Sequence, residues 1–168
     1  MSSILRARYF ATAAHAAVGQ KRKYSGDDYI VHPMRVSHIV EQFGGSESQI
    51  AAAWLHDVVE DTGIDITQIT LMFSHDIAHI VDGLTDVSKS EDGNRAVRKT
   101  IDRQHSADAI EEAQFVKCAD IIDNSSDISA MDPNFWKVYR AEMLLLLEAM
   151  TKVKDQPIWK KALESVTQ

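Results

Sequence analysis

Four ionisable side chains stand in one short, otherwise largely apolar run, SQIAAAWLHDVVEDTG, from Ser48 to Gly63: His56, Asp57, Glu60 and Asp61. Ile50, Ala53, Trp54 and Val58 recur at helical spacing, which predicts a single helix with one face in the core and Gly63 as its stop. Residues three and four apart share a helix face, so His56 meets Glu60, and Asp57 meets both Glu60 and Asp61. Three carboxylates and an imidazole this close repel and desolvate one another unless positive charge sits among them. A divalent metal ion is the simplest source of that charge. Alone, a His-Asp pair reads as a packed histidine beside a solvated helix end. Here His32 stands upstream in YIVHP, and Asp120 stands inside a second apolar helical run, FVKCADIID. An unpaired carboxylate there is strongly unfavourable, so Asp120 needs a cation to meet.

His32, the adjacent His56 and Asp57, and the distant Asp120 resemble the H…HD…D metal signature of the HD-domain phosphohydrolase superfamily. YIVHP, WLHD followed by VVEDT, GLTDVSK and VKCADIIDN together resemble the hydrolase domain of the RelA/SpoT homologues, in particular the small stand-alone alarmone hydrolases. The resemblance runs from about Ala13 to about Met150. It implies an all-α HD-domain helical bundle, with His32, His56, Asp57 and Asp120 holding one divalent ion, usually manganese in this family. The ligand types alone also suit iron, cobalt, nickel or zinc. Glu60 and Asp61, one turn beyond the ligands, are the pair expected to orient and deprotonate an attacking water. The implied reaction is hydrolysis of the 3′-pyrophosphate of guanosine tetra- or pentaphosphate to pyrophosphate and GDP or GTP.

Arg22 and Lys23 match a basic pair that contacts the nucleotide in these hydrolases, one residue lying against the base. Guanidinium stacking on a purine is physically reasonable. Lys117, one turn before Asp120 and set between Val116 and Cys118, calls for an anionic partner. Asn124 fits a nucleotide-contacting position; Tyr139 matches an aromatic near the nucleotide and reads equally as a packed core tyrosine. The chain departs from the pattern where Ile121, Ile122 and Asp123 replace a basic or polar run and Ser125-Ser126 replaces the usual continuation. These departures bear on substrate, leaving open an HD phosphohydrolase for another nucleotide (a deoxynucleoside triphosphate, NADPH or a nucleoside monophosphate) or a non-catalytic nucleotide-binding module. The intact Glu60-Asp61 pair argues against the last.

At 168 residues with 45% hydrophobic content, one domain over residues 1–168 is expected, large enough to build a core without staples. A net charge of −7 argues against generic nucleic-acid binding but not against an anionic small substrate, because a metal and clustered basic residues set the local field. The lone cysteine, Cys118, fits a reducing compartment, and the cytoplasm is the expected location. No apolar stretch has membrane-spanning length, and MSSILRARYFATAAHAAVG reads as an amphipathic helix, not a signal peptide.

Few alternating β-branched runs and only 7 Gly and 3 Pro predict an all-α chain. The expected elements are a helix from Ile4 to Val18, a polar loop, and a helix begun by Pro33 and ended at Gly44-Gly45, which leaves His32 at its mouth. Ser46 with Gln49, or Ser48 alone, offers a cap to the central helix. Asp65 and Ser74 cap two short helices. A helix starting near Asn94 carries Arg95, Arg98 and Lys99 on one basic face, which suits phosphates or plain solvent. The closing helices start at Pro133 and Pro157, and their Leu and Met stripe is core or dimer surface, so a homo-oligomer stays open. His15, His38 and the His75–His79 pair read as structural.

Overall fold

The computed structural model describes residues 1–168. Ten α-helices follow one another: α1 (Ser3–Ala17), α2 (Val31–Gln42), α3 (Glu47–Leu55), α4 (Val58–Asp61), α5 (Ile66–Met72), α6 (His75–Leu84), α7 (Arg95–Asp108), α8 (Glu111–Met131), α9 (Pro133–Ala149) and α10 (Pro157–Thr167). The only β pairing is an isolated bridge between Lys21 and Asp28, so the all-α expectation holds. Local chemistry sets most helix starts. Ser46 and Gln49 form a reciprocal capping box on α3, and Asp65 and Gln68 form another on α5. Ser74 caps α6, Asn94 caps α7, and Asp132 caps α9 with Pro133 in its first turn.

The centre of the bundle is α3. Its Ala51, Ala52, Ala53 and Leu55 are fully buried, and the small alanines let α1, α2, α6 and α8 approach the same short helix. Opposite it, α1 presents Ala7 and Ala11, and α8, the longest helix, packs on α2, α6, α9 and α10. Gly83 lets α6 meet α8 closely: a Cβ there would lie 2.9 Å from the Cβ atoms of both Ala109 and Ala113.

Two sequence expectations are corrected. The central helix is not continuous from Ser48 to Gly63 but breaks at His56 and Asp57. In an unbroken helix the Ala53 carbonyl would accept the Asp57 N–H; instead it accepts His56 Nδ1 at 2.7 Å, and Asp57 turns to φ −99°, ψ −3°. The second correction is that α2 starts before Pro33, at Val31. The Met34 N–H makes the bond to the Ile30 carbonyl, so Pro33 lies in the first turn, where no N–H is required. His32 therefore sits inside α2, on rigid backbone.

Candidate metal centre and active-site cleft

The break between α3 and α4 turns His56 and Asp57 toward the first turn of α2 and the middle of α8. His32 Nε2 lies 3.2 Å from His56 Nε2, 3.1 Å from Asp120 Oδ1 and 3.6 Å from Asp57 Oδ2. His56 Nε2 lies 2.9 Å from Asp57 Oδ2 and 3.8 Å from Asp120 Oδ1. Adjacent ligands at about 2.1 Å from one ion stand about 3 Å apart, so these spacings suit a shared cation. Both imidazoles are oriented from behind. His32 Nδ1 donates to Asp123 Oδ2 at 2.6 Å, and His56 Nδ1 donates to the Ala53 carbonyl at 2.7 Å. Each neutral ring then aims an Nε2 lone pair at the other and at two carboxylates, an arrangement that demands positive charge at its centre.

Protonation shows the same demand. Burial opposes charge on His32, but hydrogen bonds to Asp120 and Asp123 and the fields of Asp120 and Asp57 outweigh it and raise its pKa to about 9. His56 is raised too, against its burial, chiefly by Asp57. Burial opposes charge on Asp120 as well, yet Lys117 and the two imidazoles hold its carboxyl well below the usual carboxylate range. Without a metal the carboxylates draw protons onto the rings. A divalent ion would supply that charge directly. His32, His56 and Asp57 bring their donor atoms within 4.8 Å of one another, and Asp120 Oδ1 flanks that trio from the side of His32, so two nitrogens and one carboxylate oxygen fit an ion with Asp120 beside them.

A cavity of about 220 Å³ opens beside this cluster, lined by Asp57, Glu60, Lys117, Asp120, Asn124 and Tyr139 among others. Lys117 Nζ meets Asp120 Oδ2 at 3.2 Å, the anionic partner its sequence position calls for. Glu60 is exposed by surface area, yet its carboxyl is crowded by the cavity wall and accepts the Asp86 N–H at 2.6 Å. Desolvation lifts it to about 7, opposed by Lys117 and reinforced by Asp86 and Asp57. Asp61 turns elsewhere: its Oδ2 accepts Gln20 Nε2 at 2.8 Å, and Gln20 Oε1 faces His15 Nδ1 at 2.7 Å. The pair is therefore split between two environments.

A model described as HD domain matches residues 7–121. The chain belongs to the HD-domain family. A Xenopus tropicalis protein named guanosine-3′,5′-bis(diphosphate) 3′-pyrophosphohydrolase MESH1 is 34% identical over 145 residues, which cover 83% of this chain and 76% of the relative. A Synechocystis protein named "Probable guanosine-3′,5′-bis(diphosphate) 3′-pyrophosphohydrolase" is 48% identical over 86 residues; the match covers 51% of this chain and only 11% of that longer protein. A solved structure titled as a metazoan ortholog of SpoT that hydrolyzes ppGpp superimposes with a TM-score of 0.83 at 24% identity, covering 99% of this chain and 94% of that one, and so shares the fold.

Around the HD cluster, the residues expected to touch substrate are unequally placed. Asn124 Nδ2 donates to Asp120 Oδ1 at 2.6 Å, and Tyr139 is buried in the cavity wall. Arg22 is not free: its Nη2 donates to Asp127 Oδ2 at 2.8 Å, stands 4.0 Å from Asp123, and its guanidinium lies 5.9 Å from the Tyr29 ring centroid. Lys23 is exposed, 3.7 Å from Asp132 and over the Phe135 ring, apart from the metal cluster. Three residues of the HD site escaped the sequence reading. Tyr29 donates to Asp57 Oδ2 at 2.5 Å, Asp123 orients His32, and Gln20 holds Asp61. Tyr29 and Asp123 do stand in the quoted YIVHP and FVKCADIID motifs; nothing local marks Gln20.

Proposed function

We propose that this HD domain hydrolyses the 3′-pyrophosphate of guanosine tetra- or pentaphosphate, releasing pyrophosphate and GDP or GTP. The carrying observation is the convergence of His32, His56, Asp57 and Asp120 at a cavity that also holds Glu60 and Lys117. The name of the Xenopus relative supports the alarmone as substrate. His32, His56, Asp57 and Asp120 would hold the divalent ion, manganese by family resemblance; when bound, it lowers the pKa of water and offsets charge on the phosphoryl group.

The remaining steps belong to the chain's own side chains. Glu60, with a proton affinity near neutrality, takes a proton from the attacking water, while Asp61, held by Gln20 outside the cavity, acts through its charge on the neighbouring Asp57 and not by touching the water. The water oxygen bonds to the near phosphorus, the bond from phosphorus to O3′ breaks, and O3′ leaves with the proton that Glu60 took from the water, which returns the carboxylate to its starting state. Lys117 faces the charge that develops on the phosphoryl oxygens. Asn124, Tyr139 and, once released from Asp127, Arg22 contact the nucleoside, with Lys23 at the rim. A cytoplasmic location fits the single buried cysteine, Cys118, and no helix is long and apolar enough to cross a membrane.

One observation favours a second reading, a phosphohydrolase for another nucleotide: Arg22 is held by Asp127 and is not presented to a base. The deciding experiment incubates manganese-loaded protein with guanosine tetraphosphate, deoxynucleoside triphosphates, NADPH and nucleoside monophosphates, and identifies the products. GDP plus pyrophosphate from the alarmone is expected. Inorganic triphosphate from a deoxynucleotide, with the alarmone untouched, would overturn the proposal.

A further inference from the structure

The first turns of α7 carry three cations with unequal surroundings. Arg95 gives Nε and Nη2 to the two carboxylate oxygens of Glu142, each at 2.8 Å. Lys99 Nζ lies 2.7 Å from Asp86 Oδ2 and 3.7 Å from Asp102 Oδ2. Between them Arg98 has no carboxylate partner, and its Nε is closed off from solvent without an acceptor. The outer nitrogens of the guanidinium make no hydrogen bond to the protein either, and they are not closed off, so the residue presents unused donors to the cavity it lines, where a ligand would meet them.

The cavity is there. A space of about 280 Å³ is bounded by Asp86, Ser88, Arg95, Arg98, Lys99 and Asp102, with no hydrophobic residue in its wall. Asp86, Lys99 and Asp102 also line the main cleft, so the two spaces adjoin, and the Asp86 N–H is the donor that holds Glu60. The two carboxylates are already engaged: Asp102 accepts the Val87 N–H, the Ser88 N–H and Ser88 Oγ at 2.8 to 3.0 Å, and Asp86 accepts Lys99. Arg98 is left as the cation with hydrogen-bonding capacity to spare. A guanidinium fork matches the oxygens of a phosphate better than any single-point donor does.

We propose that Arg98, flanked by Arg95 and Lys99, binds the far phosphate of a pyrophosphate group whose near phosphate faces the metal cluster, and that it holds the pyrophosphate product. This rests on the alarmone reading and assigns the leaving group a place on α7. The probes are inorganic pyrophosphate and orthophosphate, titrated calorimetrically into manganese-saturated wild type, Arg98→Gln and Arg98→Lys. Wild type prefers pyrophosphate over orthophosphate by about tenfold or more, the scale of one charged hydrogen bond. Arg98→Gln loses that preference, and Arg98→Lys keeps part of it. In turnover, Arg98→Gln raises the alarmone KM and weakens inhibition by pyrophosphate more than it lowers kcat. An Arg98→Gln protein with wild-type melting temperature and wild-type pyrophosphate affinity overturns the proposal. If the alarmone is not turned over but the Arg98-dependent preference persists, the functional reading fails and the phosphate site stands.

Discussion

Glu60 and Asp61 are adjacent in sequence, and their surroundings separate them. Glu60 lines the cavity with its pKa lifted to about 7, whereas Asp61 is held by Gln20. A divalent ion nearby draws the Glu60 value down, so the catalytic rate should rise with pH along a limb whose midpoint lies at or below about 7. Glu60→Gln should remove that limb and lower kcat by a factor on the order of 10², while Asp61→Asn should keep it at reduced rate. A pH profile of kcat for both variants checks this; an unchanged limb in Glu60→Gln transfers the role to another group. At this scale the four converging residues were legible because each interrupts an apolar run with charge. Their supports were not: Asp123 reaches His32 across 91 positions and Gln20 reaches Asp61 across 41, proximities that only folding creates.

Among the elements, helix starts were legible because a cap is a contact between residues three apart, as at Ser46 and Gln49 or Asp65 and Gln68. The break between α3 and α4 was not, since helical periodicity continues from Ala53 to Val58 and the cause is an imidazole taking a backbone acceptor. That break gives the His-Asp pair its aim, so the feature hardest to read is the one the site depends on. Gly83 shows the same limit at a helix contact. Mid-helix glycine suggests a stabilising alanine, worth about 1 kcal/mol by propensity. The new Cβ, however, would stand 2.9 Å from two alanine Cβ atoms on and just before α8, neither of which can rotate away. Overpacking of this kind costs about 1–3 kcal/mol, so Gly83→Ala should be net destabilising. Thermal unfolding checks the sign; a raised melting temperature would mean that α6 and α8 separate easily.

Over the whole molecule, the metal cluster joins α2 and the α3–α4 break, which are neighbours in the chain, to α8, which begins at Glu111 only after α4, α5, α6 and α7. The all-α class was legible from composition and periodicity, but the crossing of these helices at one point depends on packing around Ala51, Ala52 and Ala53. A bound ion would therefore act as a cross-link, and its contribution should depend on pH in a stated direction. In the metal-free protein, His32 titrates at about 9 against 6.5 for an ordinary histidine. The native state binds the extra proton, so that stabilisation is complete below about pH 6.5 and is lost as pH rises through about 9. Metal takes the place of the proton at Nε2, so its affinity rises over the same range. The gap in melting temperature between manganese-loaded and chelated protein should accordingly widen from about pH 6 to about pH 9. With free metal at about 100 times its Kd, the added stability is about 2.7 kcal/mol. At about 2–4 °C per kcal/mol for a chain of this size, that corresponds to roughly 5–10 °C. Differential scanning calorimetry across the pH series, with metal content measured on each sample, provides the check. A gap that narrows toward alkaline pH, in samples shown to differ in bound metal, would mean that the ion does not sit between the imidazoles of His32 and His56.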